Sequence, residues 1–94
     1  MLTTTQSDAM NKVVAAIDDT ADRWKQEGRA KYPTSSNRDR EMRRLYDSDV
    51  EDINAIASCV RRGEFSAARD AAWMLDSVVR DELPASFWKL VGHD

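Results

Sequence analysis

The sequence predicts an all-α fold: an antiparallel helical hairpin plus an N-terminal helix, forming a three-helix bundle, with a short C-terminal helix. Three observations predict it. Apolar residues recur at spacings of three and four along most of the chain, the period of a helix face rather than of a strand. Only three Gly and two Pro punctuate 94 residues, too few for a sandwich of short strands and tight turns. Charged residues make up 33% of the chain and apolar ones 41%, the mixture of amphipathic helices with solvated outer faces. The length suits a single helical domain over residues 1–94 that either closes its own core or completes it by self-association.

The first helix is expected over residues 7–26. Ser7 is its N-cap, Asp8 suits the positive end of the helix dipole, and Gly28 marks the exit. Met10, Val13, Val14, Ile17, Ala21 and Trp24 form one narrow apolar arc, with Lys12, Asp18, Asp19, Asp22 and Lys25 outside it. Residues 28–36 then read as a basic loop, because Pro33 biases Tyr32 away from helical geometry and the Thr/Ser run offers nothing to pack.

The second helix should open at Asn37 as N-cap and close at Arg62, before Gly63. Its stripe is Met42, Leu45, Tyr46, Val50, Ile53, Ile56, Ala57 and Val60, and Asp49 falls in the middle of it. Either the helix restarts at Ser48-Asp49-Val50-Glu51, which has the form of a capping box, or it runs on and Asp49 needs a buried partner. The continuous helix is the preferred reading.

A third helix is expected over residues 66–83, stopped by Pro84, with Ala68, Ala71, Ala72, Leu75, Val78 and Val79 facing inward. Gly63, Phe65 and Ala68 resemble, in their spacing, the turn between paired helices of tetratricopeptide repeats. No second copy follows, so the likeness is that of any tight αα-hairpin. Residues 84–91 suit a short helix with Pro at its first turn and Gly92 after its end; Phe87, Trp88, Leu90 and Val91 should fold back over the hairpin.

Composition narrows the functional class. The longest apolar runs, residues 13–17 and 71–75, are far short of the roughly 20 residues that a membrane span requires. No charged-then-apolar leader precedes a cleavage site, and the lone Cys59 cannot form an internal disulfide, so a cytoplasmic chain is expected. No catalytic residues, cofactor or metal site are expected. His93 is the single histidine, and one Cys with one His falls short of a zinc ligand set. The acidic run at Asp47 lacks the Gly and the final Glu of a calcium loop, with Ser58 where that Glu belongs.

Two surface features remain as candidates. Trp73 sits near the centre of the third helix's polar arc, among Arg69, Asp70, Asp76 and Arg80, with Met74 beside it. A tryptophan there is covered by the C-terminal segment or the 28–36 loop, is covered by a protein partner or second copy, or is simply exposed. This predicts a small non-enzymatic interaction module that self-associates and binds another protein, of regulator, adaptor or inhibitor type. Trp73, Met74, Arg69 and Arg80 are its partner-binding residues. The alternative rests on charge: residues 28–46 carry net +4, against −2 before and −5 after them. Arg29, Lys31, Tyr32, Arg38, Arg40, Arg43 and Arg44 form a segment suited to nucleic acid or a phosphorylated ligand.

Overall fold

The computed structural model describes residues 4–92. Among them all regular structure is helical: α1 (Thr4–Lys31), α2 (Asn37–Arg61), α3 (Phe65–Trp73), α4 (Ser77–Arg80) and α5 (Ala85–Val91). His93 lies outside the described residues.

The first helix is longer at both ends than its capping residues suggested. Ser7 is inside it, and Gly28 does not end it. Gly28 is buried facing α2, where a Cβ would stand 2.6 Å from Cγ of Tyr46. Glycine here permits close approach of two helices instead of a turn. The Tyr32 amide still donates to the Gly28 carbonyl at 3.0 Å, so the basic loop expected over residues 28–36 shrinks to residues 32–36. The cap of α2 likewise moves one residue, from Asn37 to Ser36, whose hydroxyl accepts from the Asp39 amide at 3.1 Å.

α2 is continuous through Asp49, and Asp49 has a partner. Trp24 Nε1 donates to its Oδ2 at 3.2 Å. α1 and α2 run antiparallel, as three cross-contacts show: Gly28 at Tyr46, Trp24 at Asp49, and Asp18 with Arg61 at 3.8 Å. The main hairpin is therefore α1–α2, whereas the sequence pointed to the second and third helices. α2 ends in a Schellman turn, with Gly63 at φ 76°, its amide donating to Val60 and the Glu64 amide to Cys59, both at 2.9 Å.

The expected third helix is broken. The Leu75 amide donates to Ala72 in a tightened turn at 3.2 Å, and Asp76 adopts ψ 145°, which a helix cannot continue. Across the break Leu75, Val79 and Leu83 are all buried, and Val78 is turned outward to 65% exposure instead of inward. α5 follows with Gly92 in the left-handed conformation at its end, and Phe87 is fully buried.

Residues from α1 to α5 meet in one apolar cluster built around Ile17, Ile53, Ile56, Val60, Ala68, Ala72 and Phe87. Thr20 is the buried polar residue within it. Its hydroxyl contacts the Ala16 and Glu82 carbonyls at 3.0 and 3.4 Å and accepts from Arg23, which ties α1 to the segment after α4. The core sits at one end of the molecule. Every buried residue of α2 lies at or beyond Ile53, and the principal extents are 50 × 21 × 18 Å. The radius of gyration, 14.5 Å, exceeds the roughly 12 Å of a rounded domain this long. The far ends of α1 and α2 form an arm beyond the core.

Candidate interaction surface

The break after α3 creates the surface on which the candidate contact residues lie. Trp73 is the last residue of α3 and points away from the core, 48% exposed. Trp88 and Arg80 cover part of it. The Trp88 ring from α5 leans against it at 5.6 Å between centroids, tilted by 58°, and Arg80 Cζ stands 4.5 Å from the indole centroid. Phe87 in turn supports Trp88 edge-on at 5.0 Å. The C-terminal segment thus covers part of Trp73, which keeps 48% of its surface exposed. The loop at residues 32–36 lies at the other end of the molecule and plays no part.

Met74 is 86% exposed, the most open large apolar side chain of the described residues. It lies on the α2 side of the break. With Asp52, Ala55, Ala71 and Leu75 it lines a groove of about 400 Å³ between α2 and α3. Of the four residues singled out in the sequence, Trp73 and Arg80 therefore come together, while Met74 faces a separate groove. Arg69, one turn earlier on α3, is half-buried.

Two contributors were not legible in advance. Val78 reads as core as long as the third helix is continuous. Leu45 belongs to the α2 stripe, yet it is 55% exposed because the third layer stops short of it.

The arginine-rich segment is divided by its own pairing. Arg43 Nη1 donates to the Tyr32 carbonyl and, at 2.7 Å, to the Thr34 carbonyl, so it fastens the loop between α1 and α2. Lys31 pairs with Glu27 at 3.1 Å and Arg44 with Glu41 at 3.9 Å. Asp39 accepts from the Thr34 hydroxyl at 2.6 Å and from its amide at 3.0 Å, which holds the carboxyl below its ordinary value. Arg29, Tyr32, Pro33 and Arg43 line a depression of about 260 Å³, and Arg38 and Arg40 are exposed in the first turn of α2.

A third hollow, about 340 Å³, opens between α1 and α5 beside Ala9, Lys12, Val13, Ser86, Lys89 and Leu90. Cys59 is half-buried, with Arg62 Nη2 3.6 Å from its sulfur. No helix among the described residues is long and apolar enough to cross a membrane. No protein-family model matches the chain, and neither a curated protein nor a solved structure matches it.

Proposed function

We propose that this protein is a non-enzymatic helical interaction module of the cytoplasm that self-associates and acts by binding another protein, as a regulator, adaptor or inhibitor. In this reading α1, α2 and the α3–α5 segment are the three members of a small bundle whose surface at the α3–α4 break is the contact site. The observation that carries it is the exposure, within six residues, of Trp73, Met74 and Val78 at 48, 86 and 65%. A chain this small gains from burying such side chains against a second surface, and Trp is among the commonest interface anchors. Arg80, held over Trp73, and Arg69 nearby would orient an acidic partner.

The anion-binding alternative has less support, because Arg43, Lys31 and Arg44 are already engaged within the chain. Size-exclusion chromatography with light scattering distinguishes the two readings. Met74→Lys should weaken association and leave helix content unchanged, since Met74 contributes little to the core. Trp73→Ala should do the same with a small loss of stability from the Trp88 contact. Association untouched by Met74→Lys, or nucleic-acid binding lost in Arg38→Ala/Arg40→Ala, would overturn the proposal in favour of the alternative.

A further inference from the structure

The arm of the molecule carries an apolar stripe that its own third layer does not reach. α3 runs back along α2 only as far as Asp52 and Ala55, where Ala71, Met74 and Leu75 close the groove. Before that point α2 packs on α1 and the loop after it, through Tyr46 against Gly28 and Tyr32 and Asp49 against Trp24, and Leu45 is left 55% exposed.

Charge is polarised about Leu45. The seven residues before it include Arg38, Arg40, Arg43 and Arg44 against Asp39 and Glu41; the seven after it include Asp47, Asp49, Glu51 and Asp52 and no base. Arg38, Leu45 and Asp52 follow each other at intervals of seven, two helical turns, so they share one face. Glu41 and Ser48, with the same interval, flank it. Among the described residues neither Arg38 nor Asp52 forms an ion pair. A helix with basic first half, apolar centre and acidic second half is its own complement when a second copy runs antiparallel to it.

We propose that a second copy of this chain docks antiparallel on the open face of α2, with Leu45 against Leu45 at the two-fold axis and Arg38 against Asp52 of the second copy, twice. Glu41 then meets Ser48 of the second copy. The start of the second copy's α2 reaches the groove beside Met74, which joins this face to the contact site proposed above. Asp49 feels the charges of both Asp52 and Asp76, a repulsion that an incoming guanidinium beside Asp52 relieves. The inference rests on the self-association reading and gives it a register.

Charge reversal tests it on the full chain by sedimentation velocity. Arg38→Asp and Asp52→Arg each set like charges against each other twice and should weaken dimerisation by about tenfold or more at low salt. The double variant R38D/D52R should dimerise as the wild type does, and so should an equimolar mixture of the two single variants, in which both pairs are opposite in sign. Circular dichroism should show equal helix content throughout. A wild-type dimer that ignores both single variants, or a double variant as weak as either, would overturn this register and leave self-association standing. A wild type that stays monomeric at its highest soluble concentration would overturn both.

Discussion

Gly28 is the residue at which helix propensity and packing oppose each other most directly. An alanine there gains about 1 kcal/mol of helix propensity, yet its Cβ would lie 2.6 to 2.9 Å from three carbons of Tyr46. Overpacking of that kind costs about 1–3 kcal/mol. Gly28→Ala is therefore expected to destabilise the wild type, read as a lower midpoint in urea. In a Tyr46→Ala background the same change should become neutral or stabilising, because the clashing ring is gone. Asp49 is the second such residue. Burial raises its carboxyl above the ordinary 3.8, the Trp24 hydrogen bond lowers it in part, and Asp76 and Asp52 raise it further. With the folded-state value raised, the folded chain holds the proton more tightly than the unfolded chain does. Stability from this group thus declines as pH rises from below 3.8 to just above the raised value, and is flat beyond it. Asp49→Asn, which still accepts from Trp24, should abolish that decline and raise the melting temperature at pH 7. Both residues show where sequence reading stops. Asp49 was recognisable as a carboxylate needing a partner, but nothing along the chain names Trp24. Gly28 reads as a helix exit until a neighbouring helix is placed against it.

At the scale of elements, α2 and α5 follow their sequence signals closely. Gly63 and Gly92 sit in the left-handed conformation at the ends of those helices, as their positions after the last apolar residue imply. The third helix is different. Its apolar residues fit one periodic face, and only the fold shows the turn at Asp76 and the exposure of Val78 after it. Asp76-Ser77, two residues of the kind that open helices, was the local signal available. α5 then closes the core. Phe87 has no exposed surface, and Phe→Ala at such a site costs about 3–5 kcal/mol. Phe87→Ala should lower stability by that amount in urea titration, with α5 amides exchanging fastest in hydrogen-exchange measurements. Retention of wild-type exchange in α5 would mean that the helix is held by Trp88 and Val91 instead.

For the molecule as a whole, the helical class and most core residues were readable from periodicity, because a buried stripe of residues three and four apart is a local property. Which half of the α2 stripe is covered was not readable. That depends on the third layer ending at Asp52, a consequence of the short α3 and the break after it. The result is an elongated molecule with a core at one end, an arm at the other, and apolar side chains exposed on both. Self-association through these surfaces would double the scattering mass, which small-angle X-ray scattering reads on the full chain. Forward scattering from the full chain should give twice the monomer mass of 10.7 kDa, and Met74→Lys should reduce it. A mass of 10.7 kDa at every concentration, with a radius of gyration near the 14.5 Å of one chain, would contradict self-association.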